Sequence, residues 1–462
     1  MFAAGDPRSI FGAAGSGLNV ETRVRDETAP HYAAACLLDL GFSSAIHRLP
    51  WEGEHPAIAW ARAGMLGLCG RERALMCPAP LAGAADGALM ALQALADVDF
   101  GFSGSVCLGE RARLMGLSRQ GRTAPGGACF LVGARDGYLA LNLPRDEDLA
   151  ALAAWLQDET ITDLNSVLPV IHGFSCAELE DRGRLLGLAV AREPARAMVG
   201  QGWFERQAIG ELVSARRDRL RVIDLSSLWA GPMAGQMLRL CGAEVIKVES
   251  AGRLDGARRG NAEFFDRLNG GKSSVVLDFS DALDLVRLRE LILSADMVIE
   301  SARPRGLRQL GIVAEEILAA RPGMSWVAIS GYGRDEESEN AVAFGDDAGV
   351  AAGLTRMMRI AYGQTVFVGD AIGDPLTGLH AALAGYASWM RGGGELVSLA
   401  LRDVVAHAIG DAGYLPGAEL RARARRWGKM AAAATDLERL PVGARAVAAG
   451  ADTDQVMRHV DC

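Results

Sequence analysis

The strongest constraint on the fold is an alternation of short apolar runs with helix-period segments that begins at Arg221. RVIDL reads as a strand, and GPMAGQMLRLC carries apolar residues at helical spacing and stops at Gly242, the residue type that ends helices in a left-handed conformation. EVIKV, SSVVLDF (273–279), DMVIE (296–300) and SWVAIS (325–330) follow as strands, separated by a helical stretch running to about Ser294 and another around AEEILAA. Strands this apolar leave no polar face for water, so the pattern predicts an α/β fold, a Rossmann-like doubly wound parallel sheet covered by helices on both sides. Ligands of such sheets bind at the carboxyl ends of the strands, which points to the loops after Leu225, Val248, Glu300 and Ser330.

The preceding region has a different grammar. CFLVG and YLALNL flank the turn-forming Arg135-Asp136-Gly137, and the amphipathic DEDLAALAAWLQ follows, predicting a small α+β unit at about 105–160. The charged run 216–221 reads as a solvated linker or helix end. Against 48 Lys and Arg stand 57 Asp and Glu, a net charge of −9, so the chain lacks the basic excess that nucleic acid demands and small molecules are the expected ligands. Asp6 and Arg8 interrupt the start before any apolar stretch, and the uncharged segment Leu376 to Met390 is too short to span a bilayer. A cytoplasmic protein with no membrane partner is expected. Cys36, Cys69, Cys77, Cys107, Cys129, Cys176, Cys241 and Cys462 form no CxxC pair, and no HExxH motif occurs. The expectation is reduced, mostly buried thiols and no metal site.

Two internal echoes are visible. YAAACLLDLGFSSAIHRL (32–49) repeats the helix, glycine, strand order of GQMLRLCGAEVIKVES, with Gly41 opposite Gly242, and PLAGAADGALMALQAL (80–95) repeats VGDAIGDPLTGLHAALAGY, with Gly87 opposite Gly378. The offset grows by about ninety residues between them, so the first copy is a degenerate one.

The motifs VIDLSSLWAGPMAGQMLRLCGAEVIKVES, NGGKSSVVLDFSD, DMVIESARPRGLRQLGI, WVAISGYG and GDPLTGLHAALAG, in this order, resemble the class III CoA-transferase family, the group of formyl-CoA and carnitine CoA-transferases. The likeness covers about 222–405. ERARLMGLSRQGRTAPGGACFLVGARDGYLAL resembles the family's small domain, and GADTDQVMRHV its C-terminal helix. The resemblance implies a degenerate transferase-like region over 1–215 that carries the small domain, a large Rossmann-like domain over 221–410, and a C-terminal helical segment over 411–462. It also implies a homodimer, commonly interlocked. The two copies look complementary, the first holding a small domain and the second the CoA pocket, so one chain is expected to assemble one site from both halves.

What the family implies chemically is transfer of CoA from an acyl-CoA to a carboxylic acid through aspartyl anhydride and aspartyl-CoA intermediates, with CoA and acyl-CoA as substrates and no permanently bound cofactor. Asp374 in GDPLTGLH falls on the nucleophile position, at a helix start whose dipole would keep it ionised; an ordinary helix N-cap is its bland role, and Asp370 is the alternative carboxylate. The first copy has Gly83 at that position, with Asp86 displaced by three, and should be inert. The resemblance implies oxyanion donors from the turn Ala230-Gly231-Pro232, which Trp229 precedes, and from a lid at Gly126 and Gly127 in TAPGGA, which read equally well as a plain turn. Trp229 stands where formyl-CoA transferases carry glutamine, so either it makes the acyl pocket bulkier and more apolar or it belongs to the core. Pro232, Lys247, Asn269, Lys272, Arg303 and Arg308 are the CoA-binding candidates that the resemblance implies; the bland role of Arg303 and Arg308 is a solvated basic face, and that of Lys247 is pairing with Glu249 or the sheet edge. NGGKSS is no P-loop, because GxxxxGK would need glycine at Asp266. The family's pattern is broken at Gln309 and Val342. Two other readings share the fold: an acyl-CoA racemase, whose histidine would fall near Phe344, and a non-catalytic CoA-binding or partner subunit.

Overall fold

The computed structural model describes residues 28–198, 200, 202–213, 219–302, 304–434 and 436–458. In the first half, β1 (Cys129–Gly133), β2 (Tyr138–Asn142) and β3 (Ala189–Arg192) form an antiparallel sheet in that order. The Arg135-Asp136-Gly137 turn closes where the Ala134 N–H donates to the Gly137 carbonyl at 2.9 Å. Short helices, Asp146–Ala150, Leu152–Leu156, Leu164–Val170 and Cys176–Leu186, enclose a separate small core around Trp155, whose indole N–H reaches the Leu179 carbonyl at 2.8 Å. The unit therefore continues to Arg192, past the expected boundary near 160, because its third strand arrives after two more helices and is only four residues long.

The second half builds the large sheet from β4 (Glu205–Ala208), β5 (Arg221–Asp224), β6 (Glu244–Ser250), β7 (Ser273–Leu277), β8 (Met297–Glu300), β9 (Ser325–Ser330) and β10 (Glu395–Ala400). Their order is β4-β10-β9-β8-β5-β6-β7, parallel throughout except for β4, an antiparallel edge strand on β10 that the alternation did not show. Successive residues face opposite layers. Val222, Met297, Val327 and Val397 join the core with helices Ala230–Leu240 and Gly373–Arg391, while Ile223, Val298, Trp326 and Leu396 meet helices Ala282–Leu293 and Ala314–Ala320. The β7 edge is covered by the C-terminal segment: the Ser274 N–H donates to Asp452 Oδ2 at 2.9 Å and the Val276 N–H to Thr453 Oγ1 at 3.0 Å. Strand order reverses between β5 and β8, with β6 and β7 added on one side and β8 to β10 on the other, so the cleft belongs outside their carboxyl ends. Among the described residues, no helix is long and apolar enough to cross a membrane.

The first copy keeps helices and loses its sheet. GFSSAIHRL, expected to include a strand, is a 3-10 helix over Ser43–Arg48. Its helix Ala29–Asp39 lies on Leu81–Ala96 as Ala230–Leu240 lies on Gly373–Arg391, and the two long helices pack on each other. The close approach is repeated atom for atom. A Cβ on Gly87 would sit 2.7 Å from the Ala29 carbonyl oxygen and 2.8 Å from the Tyr32 Cβ, and one on Gly378 would sit 2.8 Å from the Ala230 oxygen and 2.9 Å from the Met233 Cβ. Backbone cannot yield at such distances without moving a helix. Gly87→Ala and Gly378→Ala are each expected to cost about 1–3 kcal/mol in urea unfolding, through overpacking; either variant at wild-type stability would contradict this packing.

Candidate active site

A cleft of about 370 Å³ opens at the reversal point, lined by Ser227 and Leu228 after β5, Ser301 after β8, Ser330 and Gly331 at the end of β9, Phe344, and Asp374. The loops expected after Leu225, Glu300 and Ser330 are thus brought together, and Arg253, beyond the end of β6, joins them. Asp374 is the second residue of helix Gly373–Arg391 and is half-buried at the cleft wall. Its Oδ2 accepts from the Gly345 N–H at 2.9 Å, and the Ala230 N–H also bonds the carboxylate. Burial lifts its pKa from 3.8 to about 6, against the downward pull of Arg111 and the two amides, and Asp347 adds to the rise. The helix terminus therefore does not hold this group at an ordinary carboxylate value, as position alone suggested; desolvation wins.

Behind Asp374 lies an acidic cluster on one cation. Arg111, from helix Val106–Met115, grips Asp370 through Nε at 2.7 Å and Nη2 at 2.6 Å, and stacks over the Trp229 ring with 5.0 Å to the centroid. Asp370 is fully buried with both oxygens engaged, which leaves it unable to serve as the reacting carboxylate. Asp346 accepts from the Ala371 N–H at 2.8 Å, and burial followed by the Asp370 charge lifts its pKa to about 8. Asp347 is held by Asn142 Nδ2 at 2.9 Å, the Tyr332 hydroxyl at 2.8 Å and the Phe344 N–H at 2.9 Å, and burial lifts it to about 6. Ala371 and Leu228 have φ of +44° and +71°, and both adjoin the Asp374 cradle. Non-glycine residues hold such angles only where surrounding contacts enforce them.

The lysines are corrected by the structure. Lys272 is buried, its Nζ bonded to Asp224 Oδ2 at 2.8 Å, the Pro232 carbonyl at 2.7 Å and Asn269 Oδ1 at 3.3 Å. Lys247 is also buried; its Nζ pairs with Asp255 Oδ2 at 2.9 Å, not with Glu249, and donates to the Ser226 carbonyl at 3.0 Å. Asp255 in turn accepts the Leu228 N–H at 3.0 Å. These cations sit beneath the turn after β5 and fix its shape; neither lines the cleft, so neither meets a phosphate there. Asn269 and Pro232 are part of the same internal network. Burial lowers the Lys272 pKa to about 8 despite Asp224.

Trp229 is 4% exposed, edge-on to Phe264 at 5.0 Å, and does not line the cleft. It is core, and the bulky acyl pocket inferred from it loses its basis. Ala230 does line the cleft. Gly126 and Gly127 form a turn closed by the Gly127 N–H to the Ala124 carbonyl at 2.8 Å; a Cβ on Gly126 would lie 3.0 Å from Arg111 Nη2 and 3.3 Å from Asp370 Oδ1. Arg308 is tied to Glu339 at 3.4 Å and Glu315 at 3.7 Å on the rim, while Gln309 and Arg305 face the cleft. Arg303 and residues 216–218 of the charged run lie outside the described residues; of the rest of that run, Arg219 donates to the Gly242 carbonyl at 3.0 Å and Arg221 opens β5.

The family model described as CoA-transferase family III matches residues 218–459. The chain belongs to CoA-transferase family III. Curated members similar to it include a succinyl-CoA–D-citramalate CoA-transferase of Chloroflexus aurantiacus, 29% identical over 199 residues covering 41% of this chain and 50% of that protein. A succinate–glutarate CoA-transferase of Agrobacterium fabrum is 32% identical over 208 residues, covering 40% of this chain and 50% of that one. The chain spans about half the length of the curated relatives it matches. Among solved structures, a hypothetical protein from Mycobacterium tuberculosis is 29% identical over 42% of this chain and 57% of its own, with a TM-score of 0.39. Family membership covers the half with Asp374; Arg111, at the other end of the Asp370 pair, comes from outside the matched region.

Proposed function

We propose that this chain transfers CoA from an acyl-CoA to a carboxylic acid with Asp374 as the covalent carrier. The observation that carries the reading is a largely buried carboxylate on the wall of a cleft at the sheet's reversal point, cradled by backbone amides from two other elements. Asp374 attacks the thioester carbonyl carbon and the C–S bond breaks, giving an acyl-aspartyl anhydride and CoA thiolate. The thiolate attacks the aspartyl carbonyl and the acyl group leaves as a free carboxylate, forming aspartyl-CoA. An acceptor carboxylate then displaces the thiolate, which attacks the new acyl carbonyl and restores Asp374. Every leaving group departs as an anion, a carboxylate or the CoA thiolate, and the thiolate is the nucleophile of the step that follows, so no proton need be moved. The Gly345 and Ala230 amides, already aimed at the carboxylate, are the donors for oxyanions forming there. Substrates of the related enzymes named above are dicarboxylates or their thioesters, and Arg253 and Arg305 on the cleft suit a second carboxylate on the acceptor.

The first half contributes its small sheet to the same site: β2 supplies Asn142 to Asp347, and Arg145 reaches the cleft. One site per chain is thus built from both copies, and the homodimer implied by the family belongs to the proposal as the assembly to be checked by mass in solution. Phe344 and Gly345 stand where a racemase would need its histidine, and among the described residues no histidine lines the cleft.

Because the attacking form is ionised, activity should follow deprotonation of Asp374. For kcat/KM toward the acyl-CoA, a half-maximum at about pH 6 and a tenfold fall per unit well below it are expected. A rate independent of pH down to 4.5 would overturn the assignment.

A further inference from the structure

We propose that Arg111 is a positioning residue for the nucleophile, so that the degenerate first half contributes a working part of the reaction centre. This deepens the reading of Asp374 as carrier and rests on it.

The guanidinium has two holds. One is the bidentate pair with Asp370, four residues before Asp374, whose carboxylate is fully buried; this pins the turn through Ala371 that launches helix Gly373–Arg391. The other is its stacking on Trp229, the residue just before Ala230. Arg111 thereby touches both arms of the Asp374 cradle: the segment that bears the carboxylate and the segment that brings the Ala230 amide to it. The third arm, Gly345, is set by the same turn, since Asp346 accepts the Ala371 N–H. A planar fork is needed, because a point charge satisfies neither two parallel bonds nor a face-on stack.

The surroundings make Arg111 hard to replace. Asp346 and Asp347 approach from helix Gly345–Ala351, Asp370 and Asp374 from the segment leading into helix Gly373–Arg391, with Tyr332 on Asp347, Cys129 on β1 nearby, and Arg145 and Arg305 on the cleft walls. Arg111 is the cation whose charge acts directly on Asp370, Asp346 and Asp374. Without it, Asp374 would lose the cation that opposes its burial and the Asp347 charge, and would hold its proton to higher pH. The turn would also be free to rotate the carboxylate off its amides.

The test compares Arg111→Met, Arg111→Lys and Asp370→Asn in the full chain, with acyl-CoA as donor and succinate as acceptor, alongside Asp374→Asn. Arg111→Met should lower kcat by about 10- to 100-fold with KM changed less than about threefold, the split a misaligned nucleophile gives. Its acid limb should move up by about one pH unit through loss of the neighbouring cation. Arg111→Lys should restore the limb while recovering only part of kcat. If Arg111→Met does not fold, Asp370→Asn decides: it frees the Arg111 charge, so the limb should move down while kcat still falls. Wild-type kcat and limb in Arg111→Met, or in Asp370→Asn where that variant decides, would overturn the inference. Those outcomes with an inactive Asp374→Asn would leave the nucleophile assignment standing, whereas an active Asp374→Asn would remove both.

Discussion

Replacing Asp374 by asparagine is expected to abolish CoA transfer, by at least about a thousandfold, while leaving the chain folded. The amide is isosteric, and its oxygen can still accept the Gly345 N–H, so the cradle keeps its shape. What it cannot do is attack a thioester, since the amide oxygen carries no charge. Removing a carboxylate whose pKa is raised by burial relieves desolvation, so the melting temperature above pH 6 should be equal to or higher than that of the wild type. The sign is set by linkage: the folded state binds this proton more tightly than the unfolded chain, so stability falls as pH rises from about 4 through 6 and the loss is constant above that. Thermal unfolding at pH 5 and pH 8, with steady-state transfer at pH 8, reads both effects. A protein that only bound CoA would be indifferent in its binding.

The second large effect concerns Lys272. Lys272→Met should destabilise the chain by about 3–5 kcal/mol, because Asp224 is left buried with one of its two cations gone. The double variant Asp224→Asn with Lys272→Met should recover most of that loss, since the uncompensated charge disappears. Where folded, the single variant should keep KM for the acyl-CoA within about twofold, as expected of a group with no contact to substrate. Unchanged stability with a tenfold rise in KM would instead return Lys272 to the role of phosphate contact.

The large sheet was legible because its parallel strands are buried on both faces and so appear as continuous apolar runs. β10 was not, since ELVSLA follows three glycines with no polar alternation, and β4, with Glu205 and Arg206 in the solvent, carries no apolar signal at all. The glycine pair Gly87 and Gly378 marked two equivalent helix crossings because close helix packing tolerates nothing larger, whereas the strand expected after Gly41 fails: the segment has no sheet partner and forms a 3-10 helix. Asp374 and the cleft loops could be placed from motif order and strand ends. Lys247 and Lys272 were misread because a lysine looks solvated in one dimension; the signals against it were Asp224 closing a strand and Asp255 beyond the next, buried acids that require buried cations. Arg111 had no sequence signal, lying 259 positions from its partner among many other arginines.

Whether the Asp374 carboxylate itself carries CoA is decided by peptide mass spectrometry of the protein incubated with an acyl-CoA and quenched. A thioester-linked CoA is expected on the peptide containing Asp374, converted by hydroxylamine to a hydroxamate at that residue and missing from Asp374→Asn. Turnover with CoA found on another residue, or with that peptide unmodified at every time point, would contradict it.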